Sequence, residues 1–277
     1  MPGKRTWVLA AAALASAALG AAAPPPTISL TRLACGDDPA PEDVSTFSDS
    51  FAYPHTQLRL TYSCYLIRHG DEYLLWDTGN PPGQPESGKA SLLELLRALR
   101  LRPEQITYVG ISHYHTDHTG QLKDFLAATL LIGAGDWRAL QGAGAPADFS
   151  AADAQLWRAP FVHWLREGGR LKTPEGDLDV FGDATVVMLA TPGHTPGHHS
   201  LLVRLPRTGA VLLSGDLAHF AASYDHDQVP LWNTSRSETL ASLDRFKQIA
   251  HNLQARVILQ HDPGDIDKLP PFPQAAE

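Results

Sequence analysis

The sequence predicts an α/β protein with an αββα layering, two β-sheets face to face with helices on their outer sides. Two observations carry that expectation. Short apolar, β-branched runs recur along the chain and alternate with segments whose apolar residues fall at helical spacing. Four of those runs, at 106–111, 185–189, 210–213 and 256–259, each lead directly into a residue type that binds metals. No internal repeat or low-complexity linker interrupts the pattern, so residues 24–277 read as one domain.

Residues 1–23 stand apart. Lys4 and Arg5 precede an Ala/Leu-rich stretch at 8–19, and small residues follow to Ala23. This is the layout of a signal peptide removed on export, which places the mature chain in the periplasm or outside the cell. The stretch is short for a membrane span, and no later run of eighteen apolar residues exists, so stable membrane insertion is not expected. Losing Lys4 and Arg5 takes the net charge from −8 to about −10, which argues against nucleic acid or an anionic membrane surface as partner. Cys35 and Cys64 both fall in β-like segments. A disulfide between them and two buried thiols both remain open.

The elements follow in order. A strand at 27–34 leads into a polar and aromatic loop, then two strands at 58–68 and 72–77 join through the hairpin-like turn His69-Gly70-Asp71. Leu92, Leu95, Leu96 and Leu99 are spaced for a helix over 91–101, which stops before Pro103. The run 106–111 is a strand, a further helix begins near Thr119, and helical and extended segments alternate through 122–127, 129–132 and 136–140. Residues 142–176 form an irregular insertion that carries Trp157, Phe161, His163 and Trp164. Strands at 184–189, 199–205 and 210–213 precede a helix at 237–253, capped by Ser235 or Ser237, and a last strand. The Pro-rich tail at 263–277 is expected to be flexible.

Chemistry concentrates in Ile111-Ser112-His113-Tyr114-His115-Thr116-Asp117-His118-Thr119-Gly120. Strand alternation puts His113 and His115 on one side of the backbone, with Asp117 and His118 just beyond at the turn. Downstream stand Thr191-Pro192-Gly193-His194-Thr195-Pro196-Gly197-His198, then Ser214-Gly215-Asp216, then Gln260-His261-Asp262. Such a set can serve two adjacent metal ions.

The order His-x-His-x-Asp-His, then His, Asp and His resembles the metallo-β-lactamase superfamily of metal-dependent hydrolases, over about residues 60–262. Leu74-Leu75-Trp76-Asp77-Thr78-Gly79 fits the same resemblance. What the resemblance implies is a sandwich of two mixed sheets flanked by helices. It further implies His113, His115 and His194 as ligands of one ion, Asp117, His118 and His261 as ligands of a second, and Asp216 as the bridge. His198 and His199 have no role in that pattern and read as residues that open the next strand. Imidazole and carboxylate donors without cysteine suit two zinc(II) ions, with iron, manganese and cobalt accepting the same set. Seven ligands exceed the four of a structural zinc site, and the chemistry they support is hydrolysis by a metal-bridging hydroxide.

Within the superfamily the layout is most similar to the N-acyl homoserine lactone lactonases, the quorum-quenching branch. The substrate this implies is a small acyl lactone. Other two-metal hydrolases of the same fold, acting on β-lactams, aryl esters, phosphotriesters or thioesters, are the alternative, and a non-catalytic metal-binding protein is a further one. Lactonases of that branch often carry tyrosine three residues after the bridging aspartate, where this chain has His219. Asp117 and His219 are the candidate catalytic groups. Phe51, Trp157, Phe220 and Trp232 are the candidate substrate-binding residues, and the aromatics of the N-terminal loop and the insertion offer a surface for a homodimer.

Overall fold

The computed structural model describes Gly3, residues 26–142 and residues 151–277. The signal peptide expected at 1–23 and residues 143–150 of the insertion lie outside the described residues, apart from Gly3.

The first sheet holds six strands in chain order: β1 (Ile28–Asp37), β2 (Thr61–His69), β3 (Glu72–Trp76), β4 (Tyr108–Gly110), β5 (Thr129–Leu131) and β6 (Leu171–Lys172). β1, β2 and β3 pair antiparallel, and β3 to β6 run parallel. The second sheet holds β7 (Leu178–Asp179), β8 (Val186–Ala190), β9 (His199–Leu205), β10 (Gly209–Leu213) and β11 (Arg256–Ile258). Its first four strands pair antiparallel and β11 lies parallel to β10. Among the described residues, six α-helices complete the layers: α1 (Leu92–Ala98), α2 (Thr116–Thr119), α3 (Ala134–Leu140), α4 (Ala151–Arg158), α5 (Ala221–Asp225) and α6 (Arg236–Leu253).

Strand periodicity explains why two sheets must meet. Leu30, Ile67, Leu74 and Trp76 from the first sheet pack with Val186, Met188, Leu201, Val203 and Leu213 from the second, all fully buried. Each such side chain contributes roughly 1.5–3 kcal/mol of burial. The alternate residues face outward, where Leu66, Leu75 and Val109 pack with Leu92 and Leu96 of α1, and Leu202 and Leu212 pack with Leu243 and Phe246 of α6. The αββα expectation therefore holds. Ser91 caps α1 in a reciprocal capping box with Glu94, and Ser235 caps α6.

Cys35 and Cys64 form a disulfide, with Cα atoms 5.8 Å apart. Leu33 pairs with Cys64 and Ala34 with Ser63, then the register shifts before Gly36, so Cys35 sits in a bulge that turns it toward its partner.

Two expectations are corrected. The helix expected near Thr119 starts at Thr116 and lasts one turn, because His115 has extended dihedrals and stands at its N-cap. Asp117 and His118 thus lie within the helix. The tail is docked rather than flexible: Leu269 and Ala276 are buried, Ala276 exchanges both backbone hydrogen bonds with Leu30, and the Glu277 carbonyl accepts from Arg207 and Thr208. Prolines are compatible with this because an edge segment needs few backbone donors. Among the described residues, no helix is long and apolar enough to cross a membrane.

Candidate metal centre

Five strands deliver the site at their carboxyl ends. Asp77 follows β3, the segment from Ile111 to His118 follows β4, His194 follows β8, Asp216 follows β10 and His261 follows β11. β3 and β4 are parallel, as are β10 and β11, so each sheet presents these ends along one edge.

The seven residues assemble into two groups. In the first, His113 Nε2 stands 2.9 Å from His115 Nδ1, and His194 Nε2 stands 3.2 Å from the same atom. In the second, Asp117 Oδ2 and His118 Nε2 are 3.1 Å apart, and His261 Nε2 is 3.6 Å from Asp117 Oδ2. Asp216 divides its oxygens between them. Oδ1 lies 3.1 Å from His118 Nε2 and 2.9 Å from His261 Nε2, while Oδ2 lies 3.6 Å from His113 Nε2 and 3.5 Å from His194 Nε2.

The donor set fits two divalent cations. Within each group, Asp216 included, the ligand atoms lie within 4.8 Å of one another. His118 Nε2 is buried between the Asp117 and Asp216 oxygens with no well-directed hydrogen bond to either, and imidazole nitrogens that point at one another need a proton or a cation between them. The two groups differ electrostatically. Burial drives His113 and His194 well below the ordinary imidazole range and His115 down to about 4, so the first group consists of neutral imidazoles. Burial also opposes charge on His118 and His261, but Asp216 and Asp117, joined at His118 by Asp77, outweigh it and raise both. The carboxyls of Asp117 and Asp216 are held well below their usual range in spite of burial, by His118 at Asp117 and by His261 and His118 at Asp216.

Neighbours orient the rings of His118, His194 and His261 through their other nitrogen. His118 Nδ1 donates to Asp77 Oδ2 at 2.9 Å, and Asp77 also accepts the Ser112 N–H at 2.7 Å and the Ser112 hydroxyl at 2.9 Å. His194 Nδ1 donates to Asn233 Oδ1 at 2.8 Å, and the Asn233 amide is fixed by donation to Thr239 on α6. His261 Nδ1 donates to the Thr61 carbonyl at 2.9 Å. Asp136, fully buried on α3, accepts from the Thr195 hydroxyl at 2.9 Å, from Gly197 N–H at 2.6 Å and from the Tyr114 backbone, so one carboxylate ties two ligand loops together. Burial pushes it up to about 7. Sequence alone assigns none of these supporting residues a role, and the Asp-Thr-Gly turn is the available signal for Asp77.

A cavity of about 600 Å³ opens over the centre, walled by Phe47, Tyr114, Trp157 and Trp232, with Tyr62 and Asn80 on its polar side. His219 is buried, its Nε2 3.3 Å from Asp216 Oδ2, its ring stacked on His261 and met edge-on by Phe47. Trp157 lies 5.2 Å from His115 between ring centroids. Phe51 and Phe220, expected at the pocket, do not line it. Phe51 is 79% exposed at a turn with φ +58°, whereas Phe220 is buried behind Phe47 among Val44, Tyr53 and Leu60. Of the aromatics in this loop, Phe47 lines the cavity. Phe161 and Trp164 belong to the core.

Residues 59–261 match the description of the metallo-β-lactamase superfamily. The chain belongs to that superfamily. Among proteins of known activity, it is 33% identical over 184 residues to the N-acyl homoserine lactonase AttM of Azorhizobium caulinodans, covering 65% of this chain and 66% of that protein. It is 30% identical over 219 residues to AttM of Rhizobium johnstonii, covering 72% of this chain and 81% of that protein. The fold of this metallo-β-lactamase superfamily chain superposes on a crystal structure of a quorum-quenching N-acyl homoserine lactone lactonase with a TM-score of 0.74 at 24% identity, over 90% of this chain and 98% of that one.

Proposed function

We propose that the protein opens the lactone ring of N-acyl homoserine lactones, using two zinc(II) ions held by His113, His115, His194 and Asp216 and by Asp117, His118, His261 and Asp216. The observation that carries the hydrolase reading is the carboxylate of Asp216, one oxygen facing each group, at the floor of an open cavity. Similarity to the AttM lactonases supports the lactone as substrate. So does a related fold solved with N-hexanoyl-L-homoserine at its catalytic metal centre. Two such ions supply a nucleophile at neutral pH and a Lewis acid for the carbonyl oxygen.

The chain's own groups do the rest. Asp117 is the most solvent-facing of the carboxylate ligands, at 23% side-chain exposure against 6% for Asp216, so it is placed to accept a proton and return it to the leaving alkoxide. His219 lines the cavity with Nε2 3.3 Å from Asp216 Oδ2, so an N–H there is placed to donate a hydrogen bond to charge that develops on the carbonyl oxygen, in place of the branch's usual tyrosine. Trp157 and Trp232 flank the acyl group. Export to an oxidising compartment is part of the same reading, supported by residues 1–23 and by the Cys35–Cys64 disulfide.

The test is hydrolysis of an N-acyl homoserine lactone series beside a β-lactam and an aryl ester, with zinc-loaded protein and an Asp216→Ala control. Ring opening that disappears in the control is expected. Turnover of another substrate with none of the lactones refutes the lactone assignment and leaves the two-metal hydrolase.

A further inference from the structure

We propose that His198, which ligates nothing, is a positioning residue that fixes the shared carboxylate Asp216 from beneath. The proposal rests only on the two-metal part of the reading above. His198 is fully buried. Its Nδ1 lies 3.1 Å from the Thr191 carbonyl and 2.9 Å from the Thr191 hydroxyl. A carbonyl only accepts, so Nδ1 carries the proton and Nε2 keeps its lone pair. That lone pair accepts the backbone N–H of Asp216 at 2.9 Å.

The fit around this bond is close. Gly215 has φ +56°, and a Cβ there would stand 2.6 Å from His198 Nε2, so only glycine lets the turn before Asp216 rest on the ring. A second route runs alongside. The Thr191 hydroxyl bonds Ser200 Oγ at 3.1 Å, and Ser200 donates to the Ser214 carbonyl at 2.8 Å. The loop that carries His194 and the loop that carries Asp216 are therefore joined twice, with His198 as the direct link. A space-filling residue would satisfy neither backbone group, whereas this imidazole satisfies one on each loop. Because Asp216 serves both groups of ligands, a shift of its backbone reaches both ions at once.

Two variants separate the roles of the two nitrogens. His198→Gln puts an acceptor where Nε2 sits and keeps the Asp216 bond. His198→Asn puts its amide where Nδ1 sits, keeps the Thr191 bond and strands the Asp216 N–H. Zinc-loaded full-length protein is titrated with a chelator while bound zinc is counted. His198→Asn is expected to release both ions at about 10-fold lower chelator concentration or less, the usual effect of losing a residue that orients ligands. His198→Gln is expected to stay within a few-fold of the unmodified protein. Equal loss in the two variants, or none in either, overturns the proposal. A readout that needs no variant is the nitrogen NMR spectrum of His198 in the zinc-loaded protein, where a proton on Nε2 instead of Nδ1 overturns it equally. Neither measurement uses a lactone, so failure of the lactonase assignment leaves the test intact.

Discussion

Asp77→Asn perturbs one proton and one ion. Asp77 is fully buried, and its carboxylate accepts three donors: Ser112 N–H at Oδ1, and Ser112 Oγ–H and His118 Nδ1–H at Oδ2. Asparagine keeps an oxygen for the Ser112 N–H, a bond of 2.7 Å, and presents an NH₂ group where Oδ2 was. The Ser112 hydroxyl can rotate and accept. His118 cannot do so while Nδ1 carries a proton, and moving that proton to Nε2 blocks the atom that faces Asp117 and Asp216. The cost falls on one ion. Orienting partners of this kind are worth about 10–100-fold in metal affinity, or roughly 1.4–2.7 kcal/mol. In a chelator titration with zinc counted at each step, Asp77→Asn should release one ion 10–100-fold early and hold the other within a few-fold, following the pattern of His118→Ala and not that of His115→Ala. Unchanged release of both ions, or loss of the ion tied to His115, would refute the assignment of Asp77 to His118.

Three further outcomes are expected. Replacing Cys35 and Cys64 by alanine opens a loop of 29 residues; chain entropy then predicts a loss of about 3.6 kcal/mol, or roughly 7–14 °C in Tm, read by thermal unfolding of the two proteins side by side. Zinc uptake by the metal-free protein should release protons from His118 and His261, whose raised values leave them charged and paired with Asp117 and Asp216; that pairing stabilises the metal-free fold at low pH and is lost as pH rises through the raised values, so apparent zinc affinity climbs with pH, and calorimetry in buffers of different ionisation enthalpy checks the proton count. Trp157→Ala removes a cavity wall 5.2 Å from His115 and should raise KM for the acyl lactone by about 5-fold with kcat unchanged, the mark of uniform binding loss.

The seven candidate ligand residues, which the structure gathers into two groups, could be picked out because each follows an apolar run that reads as a strand, and strand ends on one edge of a sheet bring distant residues together. The layering was legible for the same reason, since Leu30, Ile67 and Leu74 alternate with residues of opposite facing. What sequence did not show was which groups hold the ligands in place. Asp77 reaches His118 across 41 residues, and Asn233 reaches His194 across 39, with no periodicity to link them. The docking of the tail is hidden because its prolines look like loop, while its partner Leu30 lies near the other end of the sequence. Phe47 and Phe51 differ by four positions in a loop without a period, so only the folded backbone could say which of them turns toward His219.

Both groups of ligands straddle the sandwich. His113, His115, Asp117 and His118 hang from the first sheet, and His194, Asp216 and His261 from the second. An ion in either group is thus a rivet between layers, closing a ring of chain that runs through both sheets. Its grip on the fold depends on supply: at a free ion concentration 1,000 times the dissociation constant, one ion adds about 4.1 kcal/mol to resistance against unfolding. Scarcity of metal therefore threatens the integrity of the sandwich as well as its chemistry, and the lifetime of the protein outside a metal-rich environment becomes a measure of how fast the rivets leave.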